Sequence, residues 1–236
     1  MSREWRGAGE LVSRVGGEAL ALVAGALFRT LRFDVVGRDP VLAYAAAGRA
    51  VVLVGWHGHD LIHLAAFPTL LPGRRGAIIV EDNVAGHLLK ASAARWKVDG
   101  TALSLAAEST RSARGIVRFV ALVRAGRFGL LAVDGPAGPA RQVKPGAAFI
   151  ALRAEAVLIP CASAVRPAIE LPRWDRHLVP FPFARGLFVM GEAIDTRVSG
   201  ASGGLHTVES LTQQIARSLA EVGARAEALR GSSAAR

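Results

Sequence analysis

Three observations predict an α/β fold with a mostly parallel central sheet flanked by helices. Apolar runs of strand length alternate with segments of helical apolar spacing along most of the chain. The run Val51–Val54 is unbroken, apolar and mostly β-branched, as a strand buried on both faces requires. The chain's 236 residues suffice for one well-buried domain, and no composition shift marks a second.

Taken in order, residues 1–32 are expected to form an N-terminal amphipathic helix, from about Gly7 to Leu31. Leu11, Val15, Leu20, Val23, Leu27 and Leu31 fall near one face. Such a helix either packs on the domain or lies in a membrane interface, with Arg14, Arg29 and Arg32 among headgroups. Residues 33–198 hold the α/β domain. Phe33–Val36 reads as a short strand, Val41–Ala47 as a short helix and Val51–Val54 as the central strand. Gly55 then frees the backbone to turn, and Trp56-His57-Gly58-His59-Asp60 precedes a helix carrying Leu61, Leu64 and Ala65.

Gly76–Val80 is the next strand, closed by Glu81-Asp82-Asn83, which is helix-start chemistry for Ala85–Trp96. A strand over Thr101–Ala106, a polar turn at Glu108–Ser112 and a helix over Ala113–Arg124 follow. Phe128–Val133 is another strand and runs straight into Asp134-Gly135-Pro136-Ala137-Gly138-Pro139. Lys144–Ala154 reads as a helix and Val157–Val165 as a buried strand. Arg166–Pro182 reads as an ordered excursion rich in proline and aromatics, and Leu187–Met190 as a last strand. Residues 199–236 are a Gly/Ser link (Ser199–Gly204) and a charged helix (Thr207–Leu229) packing on the same domain.

Lys+Arg number 29 and Asp+Glu 19, a net charge of +10, while 51% of residues are hydrophobic. Basic charge with an apolar excess favours an anionic membrane surface or an anionic ligand. Nucleic acid is disfavoured, because Tyr44 stands alone and no aromatic ladder or nucleic-acid motif appears. Cys161 is the single cysteine, so the chain forms no internal disulfide and the thiol reads as a small core residue. No stretch reaches the roughly 18 apolar residues of a membrane span, and Glu4, Glu10 and Glu18 break up any secretory leader. The expected location is the cytoplasmic face of the inner membrane, peripherally attached.

The chemistry concentrates where the central strand ends, because ligands of open α/β sheets bind outside the carboxyl ends of strands. His57 follows the strand directly, and Asp60, three residues on, can share its face and orient the imidazole as a general base for a hydroxyl. Asp134–Arg141 (DGPAGPAR) makes a rigid turn with exposed amides at the same edge. Arg111 and Arg114, after Ser109-Thr110, are placed to meet a phosphate near a helix start.

Two metal readings compete. His59-x-x-x-His63 mimics H-E-x-x-H with Asp60 for Glu, and His57-x-His59 mimics H-x-H-x-D-H with Leu61 where the Asp should stand. They point to a metal-dependent hydrolase using His57, His59, Asp60 and His63. Both depart from their patterns, so no metal is expected. Gly200-Ala201-Ser202-Gly203-Gly204 matches G-x-S-x-G but lacks the hydrophobic strand of a nucleophile elbow.

The order Trp56-His57-Gly58, Ser109-Thr110-Arg111, Asp134-Gly135-Pro136-x-Gly138-Pro139, Pro145-Gly146 and Val157-Leu158-Ile159-Pro160 resembles the lysophospholipid acyltransferase superfamily, in its bacterial uncharacterised branch. Arg173-Trp174-Asp175-Arg176-His177-Leu178-Val179-Pro180-x-Pro182-Phe183 and Gly191-Glu192 extend the resemblance over most of the chain, from Phe33 to Ile194. It implies a glycerolphosphate-acyltransferase-like fold in phospholipid metabolism. His57 would take the proton of an acceptor hydroxyl that attacks acyl-CoA or acyl carrier protein, a co-substrate rather than a cofactor. The acceptor would be a lysophospholipid or other lipid-like alcohol. Trp56, Gly58, His59, Asp134, Gly135, Pro136, Gly138, Pro139, Arg141 and Lys144, with Arg111 and Arg114, would bind substrate.

Two positions depart from the family pattern. Its acidic partner stands five residues after the histidine, where this chain has Ile62, and the arginine after Asp-Gly-Pro is Ala137. Asp60 would substitute for the first, and Arg141, Lys144 or Arg111 for the second. The same departures admit a third reading, a catalytically inactive lipid-binding relative.

Overall fold

The computed structural model describes residues 15–16, 18–19, 22–103, 110–197 and 206–233. Helix α1 (residues 22–30) leads into strand β1 (Arg32–Val36), helix α2 (Arg38–Ala46) and strand β2 (Val51–Gly55). A 3-10 turn (His57–His59) and α3 (Asp60–Leu70) follow, then β3 (Gly76–Glu81), α4 (Val84–Arg95) and β4 (Val98–Leu103). The chain continues through α5 (Thr110–Arg124), β5 (Phe128–Ala132), α6 (Pro145–Ala154), β6 (Val157–Glu170), β7 (Leu178–Met190), β8 (Ile194–Asp195) and α7 (Val208–Ser233). Local chemistry accounts for the boundaries: Asn83 caps α4, its side chain accepting from the Gly86 N–H at 2.8 Å, and Pro145 opens α6 at its first turn.

The strands form one sheet in the order β1-β7-β6-β2-β5-β3-β4, with β8 on β6. β6, β2, β5, β3 and β4 run parallel to one another. β7 is antiparallel to β6, and β1 is parallel to β7 at the edge. The α/β class and the mostly parallel, helix-flanked sheet are therefore as expected.

β2 divides the core. Val52 and Val54 pack with α6 (Ala148, Ile150, Ala151) and α7 (Leu211, Ile215, Leu219). Val51 and Leu53 pack on the opposite face with α3 (Leu64, Phe67, Leu70). Each such side chain contributes roughly 1.5–3 kcal/mol on burial, so a continuous apolar run suits a strand buried on both faces. The chain leaves β2 through α3 towards β3, but leaves neighbouring β5 through α6 towards β6, on the far side of β2. The two connections diverge to opposite faces, and a crevice opens at the carboxyl ends of β2 and β5.

Four expectations need correction. The strand expected at Thr101–Ala106 is β4, Val98–Leu103, because Gly76 to Glu81 of β3 pair with Val98 to Leu103 and set its start. The turn expected at Glu108–Ser112 is helical from Thr110, while residues 104–109 lie outside the described residues. Arg166–Pro182 is not an excursion: it comprises the outer ends of β6 and β7 and the turn between them, a hairpin paired from Ala168–Pro180 to Glu170–Leu178. In the N-terminal helix, the packed face is Ala24, Phe28 and Leu31, each 9% exposed, against Ile62, Val165 and Ala184. Val15 and Val23, placed near one face with Leu31, are exposed, as is Leu22, so they do not share its packed side. Residues 1–14, 17, 20 and 21, with Leu11, Arg14 and Leu20 of that expectation among them, and the Ser199–Gly204 link lie outside the described residues. Among those described, no helix is long and apolar enough to cross a membrane.

Candidate active site at the carboxyl ends of β2 and β5

Gly55 ends β2, Trp56 is extended, and the turn His57–His59 feeds the first turn of α3 at Asp60. Across the crevice, β5 ends in the loop that begins at Asp134. The Asp134 carboxylate is 1% exposed and clips the two exits together: the His57 backbone N–H donates to Oδ1 at 3.0 Å and the Arg141 N–H to Oδ2 at 3.1 Å. Charge-assisted bonds of this kind are about twice as strong as neutral ones. Asp134 was expected to bind substrate; it also borders the crevice, but its polar contacts are these two amides.

The His57 ring is held by its neighbours, with 30% of the side chain exposed. Its centroid stands 5.4 Å from that of Trp174. Nδ1 is buried without a hydrogen-bond partner, facing Asp60 Oδ2 at 3.7 Å, an ion-pair distance rather than a hydrogen bond. Burial, then the nearby Asp134 and Asp175 carboxylates, push the Asp60 carboxyl above the ordinary carboxylate range, an effect that water screens in part because 38% of the side chain is exposed. Ionising Asp60 thus costs more in the folded than in the unfolded chain, and the wild type loses stability as pH rises through that elevated value. Asp60→Asn is expected to melt higher than wild type at about pH 8 and to converge with it towards about pH 4. Equal melting temperatures by calorimetry at the higher pH would contradict this.

The other two histidines turn inward. His59 Nδ1 lies 2.9 Å from Ser163 Oγ on β6, and its ring is held neutral by burial and then by the Arg141 charge. His63 is 8% exposed, packs its ring 5.0 Å from that of Phe188, and has its pKa lowered to about 3 by burial and by His59. His57 thus faces Asp60, while His59 and His63 meet ring to ring with centroids 6.2 Å apart, so the four side chains form two pairs rather than one cluster. Among the described residues, no three His, Cys, Asp or Glu side chains converge as a metal set.

A cavity of about 220 Å³ opens beside the clip, lined by Trp56, His59, Asp134 and Arg141 together with Ala140, Glu170, Asp175, Arg176 and Leu178. Arg176 is neutralised by Glu170 at 2.9 Å, whereas Arg141 forms no ion pair with any described residue. The cavity thus presents one free guanidinium. It falls below the roughly 300 Å³ of a drug-sized pocket and is rich in charged groups, so it suits the polar end of a substrate rather than a hydrocarbon tail.

Gly135 and Pro136 are half-buried in the loop after β5, and Lys144 donates its backbone N–H to Val133 O at 2.7 Å and its ammonium to Gln142 at 3.1 Å. Gly138, at φ 70, lies under the Trp174 indole, where a Cβ would come 2.5 Å from Cε3; Pro139 follows through a cis peptide. Arg114 is exposed on α5 behind edge strand β4 and does not border the cavity. Arg111 lies on the first turn of the same helix, its side chain outside the described residues.

Sequence reasoning left Trp174, Asp175, His177, Ser163, Glu170, Arg176 and Leu178 out of the site. The β6–β7 turn carries Trp174, Asp175 and His177 over His57. Asp175 has a fully buried carboxylate, with Arg173 Nε at 3.3 Å from Oδ1 and His177 Nδ1 at 3.6 Å from Oδ2, which has no hydrogen-bond partner. The signal was the density of polar and aromatic residues in Arg173–His177, but its place above the crevice follows only from the hairpin. Gly58 makes the closest approach, since a Cβ there would stand 2.1 Å from the Asp175 carbonyl oxygen. Backbone cannot swing aside as a side chain can. Gly58→Ala is expected to cost about 1–3 kcal/mol, read as a lower melting temperature with lost protection of the 171–177 amides in hydrogen exchange. An unchanged melt would refute the contact.

No family model matches the chain. An uncharacterised protein of Rickettsia prowazekii (strain Madrid E) is 24% identical over 147 residues, covering 62% of this chain and 64% of that protein. The match thus spans less than two thirds of the relative's length, and that relative has no activity assigned to it.

Proposed function

We propose that the protein is an acyltransferase moving a fatty acyl group from acyl-CoA or acyl carrier protein to a hydroxyl of a lysophospholipid or other lipid-like acceptor. The observation that carries this reading is a partly exposed imidazole, His57, at the crevice where the β2 and β5 connections diverge, pinned through its backbone to Asp134. Nδ1 faces Asp60, which leaves Nε2 to take the hydroxyl proton as the oxygen attacks the thioester carbonyl. The carbon–sulfur bond then breaks, and the imidazolium returns the proton to the leaving thiolate. Arg141 would meet the anionic group of a substrate, in place of the arginine that Ala137 replaces. The finer fold assignment, glycerolphosphate-acyltransferase-like, and peripheral attachment at the cytoplasmic face of the inner membrane belong to the same proposal. The exposed Leu22 and Val23 of α1 support attachment.

The test is thiol release from an acyl thioester together with appearance of the acylated product, and lipid analysis of a deletion strain complemented with wild type or His57→Ala. Restoration by wild type alone is the expected result. No transfer to any acceptor, or stoichiometric zinc whose removal abolishes a hydrolytic activity, would overturn it.

A further inference from the structure

Three arginines stand abreast across the outer strands. Arg185 of β7 is in register with Arg32 of β1 on one side and with Arg166 of β6 on the other. Residues in register point to the same face of a pleated sheet, and like charges directly opposite one another destabilise it. All three are exposed, and none forms an ion pair with another described residue. Asp34, the carboxylate of β1, is likewise in no ion pair.

Immediately before Arg185 the hairpin departs from regular pairing. Arg166 pairs with Arg185 and Ala168 with Pro180, so Pro167 alone stands opposite the four residues Phe181 to Ala184. Ala184 is buried beneath α1, while Phe181 is 46% and Phe183 78% exposed. Phe183 adopts φ 62, a left-handed conformation that a bulky residue rarely takes, and its N–H donates to Thr30 Oγ1 of α1 at 2.9 Å. The fold thus holds a strained phenylalanine ring out in solvent, and such outliers persist where surrounding structure and function demand them.

We infer that this bulge and the adjoining arginine row are a docking surface for a bilayer with anionic headgroups. The two rings would sit at the boundary of headgroups and acyl chains, and Arg32, Arg166 and Arg185 on lipid phosphates. Charge complementarity names the occupant: uncompensated guanidiniums around exposed aromatics suit a polyanionic interface. The same hairpin carries Glu170, Arg176 and Leu178 to the cavity wall, so docking brings the cavity to the interface. A substrate's polar end can then enter the cavity, whose wall includes Trp56 and His59 on either side of His57 in the chain, while its tail stays in lipid; this consequence rests on the acyl-transfer reading, and the docking surface does not.

The experiment is co-sedimentation of the full chain with vesicles of phosphatidylcholine alone and of phosphatidylcholine mixed with phosphatidylglycerol. Wild type is expected to bind the mixed vesicles and not the neutral ones. Arg166→Gln with Arg185→Gln should weaken binding about fivefold per arginine, with lysine at both positions retaining most of it. Phe181→Ser with Phe183→Asn, asparagine tolerating the left-handed backbone, should lower it about tenfold or more without lowering the melting temperature. Wild-type failure to bind, equal binding to neutral vesicles, full binding by either double variant, or loss with lysine would each overturn the inference. The assay needs neither donor nor acceptor, so absent acyl transfer with intact vesicle binding would sink the catalytic reading and leave this surface standing.

Discussion

His57→Ala is expected to lower acyl transfer by about 10²–10⁴-fold, the usual contribution of a positioned general base, while leaving the fold intact. Two features make the separation clean. The hydrogen bond that pins this position to Asp134 comes from the backbone N–H and survives any non-proline substitution. The ring is partly exposed and its Nδ1 has no hydrogen-bond partner to lose. The loss should fall on kcat, because the proton moves only in the transition state. His59→Ala is the control: it breaks the contact with Ser163 and is expected to act on stability and KM more than on kcat. Full-rate transfer by His57→Ala, measured with an acyl thioester and a lysophospholipid, would end the assignment of this imidazole as the base.

Acid should destabilise the protein steeply through one buried ring. His63 titrates near the ordinary value of about 6.5 in the unfolded chain but only at about 3 when folded. Its contribution is therefore fully present above about pH 6.5 and is lost as pH falls towards the folded value, because the unfolded state takes up the proton first. A difference of roughly three and a half pH units is about 5 kcal/mol, comparable with the whole stability of a typical domain. His63→Leu removes the titrating group and the buried Nε2 that lacks a partner. It is expected to match or exceed wild type at about pH 7 and to lose far less stability at about pH 5, by denaturant unfolding across that range. Parallel stability curves for the two proteins would refute this account.

The central strand and its histidine were legible because both signals are local. Five consecutive buried residues in Val51–Gly55 read directly as an uninterrupted apolar run, and His57 follows it in sequence. Asp134 was legible for the same reason, standing at the end of a second apolar run, but its work was not. That its carboxylate would accept from the backbones of His57 and Arg141 depends on β2 and β5 becoming neighbours, 77 residues apart in one case. The free cation of Arg141 could not be told from those of Lys144 and Arg111 by spacing, since its freedom depends on which side chains the β6–β7 hairpin brings near and which carboxylates those already hold. The hairpin itself was misread because Pro167, Pro180 and Pro182 argue against regular strand. Pro167 and Pro182 are accommodated at an irregular register, where ladder bonds are forfeited anyway, and Pro180 stands at its border, paired with Ala168.

What this sequence determined by itself is the succession of strands and helices, since burial on one or both faces writes its period into consecutive residues. It also determined the residue types available at the strand ends. Only the tertiary structure decided that β2 and β5 would adjoin with connections leaving on opposite faces, that Trp174 and Asp175 would close over His57, and that Arg32, Arg166 and Arg185 would stand in one row. Each of those depends on pairing between segments far apart in the chain, and such pairing is selected by the packing of the whole domain rather than by any local preference.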